Sequence, residues 1–181
     1  MSLAVALDHS ERVGGLALLA PLTHRMPCPP GPFRDLDIHS KLLRTLVAWT
    51  LATPMIKFKR DTMLSVLFDP DPPPADFDTR GGGLLFLRPK NFCSTSVDLV
   101  ASNADLPAMV ELYPSLHAPI SILFGTGDRI LDYRAHGVAM KEAVPHLNLE
   151  LLPGGHMLPV THVAETADFI RRAMALVQRA S

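Results

Sequence analysis

Three short apolar runs break a chain otherwise patterned for helix. They are Val13-Gly-Gly-Leu-Ala-Leu-Leu, Ile120 to Phe124, and Leu147 to Leu152, each stopped by Gly or Pro. Runs of this length and composition predict buried strands, at 13–19, 120–124 and 147–152. Between and around them the apolar positions recur at helical spacing. Leu3, Ala6 and Leu7 give residues 1–9 one apolar face. Ile38, Leu42, Leu43, Leu46, Val47 and Trp49 predict a helix over about 36–50, and Met55, Ile56, Met63, Val66 and Leu67 another over 54–67. Helix is also predicted near 90–101 and 105–116, with Asp105 as N-cap ahead of Pro107.

The punctuation fits that division. Pro27, Pro29, Pro30 and Pro32 deny regular structure to residues 22–34, and Asp69-Pro-Asp-Pro-Pro-Pro-Ala-Asp76 ends a helix. Gly81-Gly-Gly lacks the Gly-Lys-Ser/Thr of a phosphate loop and reads as a turn or a close helix contact. Lys57, Lys59 and Arg60 make a small basic face, read as solvated in preference to the alternative of a phosphate or membrane contact. After the second strand, Asp132 is placed to cap a helix carrying Tyr133, Gly137, Met140 and Val144 on one face. A last helix over 162–178 shows Val163, Ala167, Ile170, Met174 and Val177 as its stripe. The organisation predicted is a core segment at 1–21, a helical block at 22–118 and a second core segment at 119–181.

Composition narrows the class. With 181 residues, 48% hydrophobic and 19% charged, the chain has material for one packed core. Its net charge of −1 excludes the basic excess of a general nucleic-acid binder. No apolar run approaches the roughly 20 residues of a spanning helix, and no membrane partner is expected. Cys28 and Cys93 are too few for a disulfide framework and lack metal spacing. With no signal-peptide pattern at the start, a reduced, cytoplasmic setting is expected. Neither a metal nor a cofactor is predicted.

The candidate chemistry lies where the last two strands stop. Phe124-Gly-Thr-Gly ends on Asp128, and Leu152-Pro-Gly-Gly ends on His156, 28 residues later. That interval holds one crossover helix and one strand. Glycines let the backbone turn sharply and hold a side chain at the strand's carboxyl end, where open α/β sheets bind ligands. A carboxylate beside an imidazole fixes its tautomer and stabilises the imidazolium formed when it takes a proton. Asp132 is the competing acid, and His162 falls in the first turn of the last helix.

At Phe-Gly-Thr-Gly-Asp-Arg-Ile (124–130) and Pro-Gly-Gly-His-Met-Leu-Pro-Val (153–160) the chain resembles the carboxyl-terminal part of an α/β-hydrolase. The family order is nucleophile, acid, histidine, and Asp128 and His156 fit its last two places. Gly-x-Ser-x-Gly, the family's nucleophile elbow, occurs nowhere in the sequence. The resemblance implies a three-strand part of a parallel sheet, its first strand the sixth of eight, with a helical cap inserted at 22–118. It makes residues 1–13 the helix after the elbow and leaves the first half of the fold outside this chain. It implies a hydrolase of a small ester-like substrate, working without a cofactor through Asp128, His156 and a serine absent here. The alternative is a non-catalytic truncated fragment or a complementing half. The first strand would then lack a neighbour, leaving Leu16 and Leu18 uncovered on an edge that invites association. Epoxide-hydrolysing relatives use a nucleophilic aspartate and cap tyrosines, and Tyr113 is the one tyrosine in the block. Haloalkane chemistry would likewise need a nucleophile not present here.

Overall fold

A computed structural model describes residues 1–26 and 28–180. Pro27, one of the prolines expected to keep its loop irregular, lies outside the described residues. Strands β1 (Leu16–Leu19), β2 (Ile120–Gly125) and β3 (Asn148–Leu152) form one parallel sheet in the order β1-β2-β3. Leu16 lies beside Ile120 and Leu19 beside Leu123, while Ser121 lies beside Asn148 and Gly125 beside Leu152. The sheet is the parallel three-strand arrangement the apolar runs predict. β1 begins at Leu16 rather than Val13, because its first rung is the Leu16 amide on the Pro119 carbonyl at 2.8 Å and no partner strand precedes it.

β2 is buried at every position, as a central parallel strand must be when both faces are covered. Its alternate residues serve different layers. Ile120, Ile122 and Phe124 enter the main core with Leu3 and Ala6 of α1 (Ser2–Asp8), Tyr113, Leu116, Met140, Val144 and Leu147. Leu123 points the other way, to Leu158 and Phe169. Leu16 and Leu18 are packed against the main core, correcting the expectation that they stand uncovered. The outer edge of β1 itself carries no strand among the described residues.

The segment between β1 and β2 is helical: α2 (Lys41–Thr50), α3 (Ala52–Phe68) and α4 (Pro89–Leu112), with 3-10 turns at Gly31–Leu36, Gly83–Leu87 and Tyr113–Ser115. The first of these turns occupies part of the segment expected to be irregular. Pro32 sits in its opening turn, where a missing amide donor costs nothing. Ala48, Ala52 and Phe92 make a separate small core with Ile38, Val47, Met55, Ile56 and Cys93. α4 is one helix across Pro107, not two. Its early turns pack Phe92 in the small core and its late turns place Leu106, Met109 and Val110 by the sheet. Packing at both ends outweighs one missing backbone bond.

Two stripes differ from the expected ones. On α2 the residues that face inward are Arg44 and Ala48, while Leu42, Leu43, Leu46 and Trp49 are exposed. After β3 come a short α6 (Leu158–Thr161) and α7 (Val163–Ala180), with His162 in the break. α7 buries Thr166, Phe169 and Ala173 rather than Val163, Ile170 and Met174. Phe169 fills the space beside Leu123 and Leu158 and sets that register. Between β2 and β3, a π-helical turn (Arg134–Val138) runs into α5 (Ala139–Ala143), and Gly137, Met140 and Val144 are buried as predicted. No helix among the described residues is long and apolar enough to cross a membrane.

Candidate active site

Past the carboxyl ends of β2 and β3 the two chains stay paired. The Thr126 amide donates to the Leu152 carbonyl at 2.8 Å and the Gly127 amide to the Gly154 carbonyl at 2.9 Å. This close pairing requires glycine. A Cβ on Gly125 would lie 2.3 Å from the carbonyl oxygens of both Gly154 and Gly155, and one on Gly155 would lie 2.2 Å from the Asp69 carbonyl oxygen. The end of α3 and the turn after it therefore press on the histidine loop, and Pro70 touches Gly127.

These turns bring Asp128 and His156 together. Asp128 Oδ2 is 2.7 Å from His156 Nδ1. Oδ1 accepts the amides of Ile130 at 2.8 Å and Leu131 at 2.9 Å. An ionised carboxylate only accepts, so the bond assigns the proton to Nδ1 and leaves Nε2 as the basic nitrogen. The Asp128 side chain is 0% exposed and that of His156 is 24% exposed. The acid is thus sealed beneath an imidazole that reaches the surface.

Asp132 takes the other role open to it. Its Oδ1 accepts the Arg134 amide at 2.9 Å, where the π-helical turn begins. His162 stands apart, its Nδ1 2.9 Å from Thr161 Oγ1 and 3.5 Å from Asp71 Oδ2, within ion-pair range but without a hydrogen bond to that oxygen. Among the described residues no serine or cysteine hydrogen-bonds His156. Ser2 opens α1, Cys28 is exposed, and Cys93 packs in the small core. Nor do the described residues hold a cluster of three or more His, Cys, Asp or Glu arranged for a metal ion.

A polar network near the acid was not legible in the sequence. The buried His136 accepts at Nδ1 from the amides of Thr23 at 3.4 Å and His24 at 3.3 Å, and Thr23 Oγ1 donates to the His136 carbonyl at 2.9 Å. Tyr113, wholly buried, donates its hydroxyl to the Thr23 carbonyl at 2.5 Å. Burial pushes the Tyr113 phenol up to about 12. Burial, and then the neighbouring His24, lower His136, while Asp128 and Asp132 pull it back in part. Tyr113 is therefore a structural donor in the sheet's core rather than a cap tyrosine facing a ligand. The residues come from three distant segments, and no local motif joins them.

The chain as a whole is similar in fold to solved structures over nearly all of its length. One is a carboxylesterase from Nitrososphaera gargenis, with TM-score 0.63 and 16% identity, covering 99% of this chain and 62% of that one. The fold is that of the α/β-hydrolases. A candidate lipase from Acinetobacter baumannii AYE superposes with TM-score 0.63 at 19% identity, covering 99% and 58%. The 2-hydroxy-6-oxo-6-phenylhexa-2,4-dienoate hydrolase of a Rhodococcus strain gives 0.62 at 14% identity, covering 96% and 59%. The chain thus spans about 60% of the length of these α/β-hydrolase-fold proteins. No protein-family model and no curated protein matches it.

Proposed function

We propose that this chain carries the acid and base of a hydrolase acting on a small ester-like substrate. The observation that supports it best is the 2.7 Å bond from a sealed Asp128 to a surface-reaching His156. In this reading His156 Nε2 takes the proton of a serine hydroxyl as the oxygen attacks the ester carbonyl. Asp128 stabilises the imidazolium, which then returns the proton to the leaving alcohol. Water cleaves the acyl-serine by the same exchange. The helical segment at 22–118 acts as the cap. The serine and its oxyanion amides come from a polypeptide segment that pairs with the free edge of β1. No cofactor takes part.

A second reading is favoured by one specific observation, the lack of Gly-x-Ser-x-Gly in the sequence. In it the chain is a non-catalytic fragment, or a half that needs a complement. One experiment separates the two. The 181-residue chain is treated with a fluorophosphonate probe and a p-nitrophenyl ester, alone and joined to the in-frame sequence encoded upstream of Met1. The hydrolase reading expects no labelling alone, labelling at the elbow serine when joined, and loss of turnover in His156→Ala. Stop codons immediately upstream would favour the fragment. Stoichiometric labelling of the isolated chain at one serine would refute an external nucleophile.

A further inference from the structure

Helix α2 is built inside out. Its Arg44 is buried, donating through Nε and Nη2 to the Ile38 carbonyl at 3.1 and 2.6 Å and through Nε to Ser96 Oγ at 2.9 Å. Ala48, one turn on, is buried beside it in the small core. The opposite face carries Leu42, Leu46 and Trp49 at i, i+4 and i+7, which are 84, 61 and 65% exposed, and Phe58 of α3 is 91% exposed. Leu43 and Leu51 are exposed as well. Single exposed leucines are ordinary, but two leucines and a tryptophan in a stripe on one helix face mark a contact surface.

The charges around this surface indicate what it meets. From Ile38 through Arg60 the chain holds Lys41, Arg44, Lys57, Lys59 and Arg60 and no Asp or Glu, although the whole chain has a net charge of −1. Arg44 is satisfied within the fold, Lys59 pairs with Asp35, and Arg60 pairs with Asp61 and Asp78. The exposed ammonium groups of Lys41 and Lys57 have no acidic partner among the described residues. Leucine and aromatic side chains beside lysines, on helices not long and apolar enough to span, are the pattern of an interfacial helix.

We propose that the exposed face of α2 and α3 adsorbs to an anionic phospholipid surface. Leu42, Leu46, Trp49 and Phe58 enter the boundary between headgroups and acyl chains, and Lys41 and Lys57 meet the phosphates. This does not rest on the hydrolase reading, since neither Asp128 nor His156 takes part. The expectation of no membrane partner rests on the lack of a spanning run, and that criterion does not report a short helix with its apolar face outward.

Trp49 is the only tryptophan, so its emission reads this face directly. The full chain is mixed with vesicles of phosphatidylglycerol or of phosphatidylcholine, with a lipid-free sedimentation blank and circular dichroism to verify folding. Expected are a blue shift and co-sedimentation with phosphatidylglycerol, at least tenfold weaker binding to phosphatidylcholine, and weakening by salt. Leu42→Ser with Leu46→Ser, and separately Lys41→Gln with Lys57→Gln, should each weaken binding about tenfold or more while the helical spectrum persists. A folded chain showing no shift and no co-sedimentation would overturn the proposal. So would equal binding to both lipids. A lipid-free blue shift that grows with protein concentration and ignores vesicles would also overturn it, assigning the face to a second copy of this chain.

Discussion

Asp128 holds His156 with one carboxylate oxygen and its own turn with the other. Oδ2 meets Nδ1 at 2.7 Å while Oδ1 accepts two backbone amides, so the acid cannot swing away without breaking three bonds. Asp128→Asn should keep the turn, because the amide oxygen can still accept from Ile130 and Leu131. Its NH2 would then face Nδ1 and force the imidazole proton to Nε2. The loss of stability should be about 1–3 kcal/mol. Nitrogen NMR of the His156 ring checks the tautomer. In the joined, nucleophile-bearing protein the same change should lower turnover by roughly 10³–10⁴. An unchanged Nδ1–H signal would show that the carboxylate does not set the tautomer.

The glycines that bring the pair together can be tested separately from the pair. Gly125→Ala puts a methyl 2.3 Å from two backbone carbonyl oxygens, one of which, Gly154's, accepts the Gly127 amide. No side chain can move aside, so the cost should reach about 3 kcal/mol, the upper part of the overpacking range. Gly31→Ala meets nothing within 4 Å and should change stability by less than about 1 kcal/mol. Urea midpoints of the two variants give the comparison.

The site was readable because it is local. Each of Asp128 and His156 closes a run of apolar residues and glycines, and each lies within four residues of its strand's end. The three strands were readable for the same reason, because each is a short apolar-rich run stopped by Gly or Pro, with Ser121 the one polar residue of β2 and Asn148 and Glu150 those of β3. Helix faces were not. Leu42, Leu46 and Trp49 carry ideal spacing, yet the burial of Arg44 turns them outward, and that burial depends on Ser96 and the Ile38 carbonyl. Pro107 looked like a helix start, and tertiary packing at Phe92 and Leu106 made it interior. His136, Thr23 and Tyr113 meet across separations of about ninety residues and more, which no periodicity records.

Tyr113 tests how far that hidden network supports the core. Its hydroxyl donates to the carbonyl of Thr23, and both residues are wholly buried. Tyr113→Phe keeps the ring and leaves that carbonyl unpaired, so about 1–3 kcal/mol should be lost. In the wild type the raised phenol also sets a limit at high pH. Its contribution is full below the ordinary tyrosine value of about 10 and is lost as pH rises toward about 12. Denaturant unfolding between pH 9 and 11 should therefore show a decline that is smaller in Tyr113→Phe.

The acid side depends on His136. Both amides it accepts, from Thr23 and His24, point at Nδ1, and a proton there would face two N–H groups. The charged and titratable groups around it are His24, Asp128 and Asp132, and the outcome of burial and these charges is a lowered pKa. Burial lowers His24 as well. An unfolded histidine, near 6.5, therefore binds a proton more readily than either does in the fold. Their stabilisation is complete above about pH 6.5 and is lost as pH falls through the lower folded values, at up to about 1.4 kcal/mol per pH unit for each proton. In His136→Asn the side-chain oxygen can accept an amide and cannot titrate. Its unfolding free energy should fall less steeply between pH 6.5 and 5 than that of the wild type. Equal slopes would locate the acid sensitivity elsewhere, in His24 or in the carboxylates.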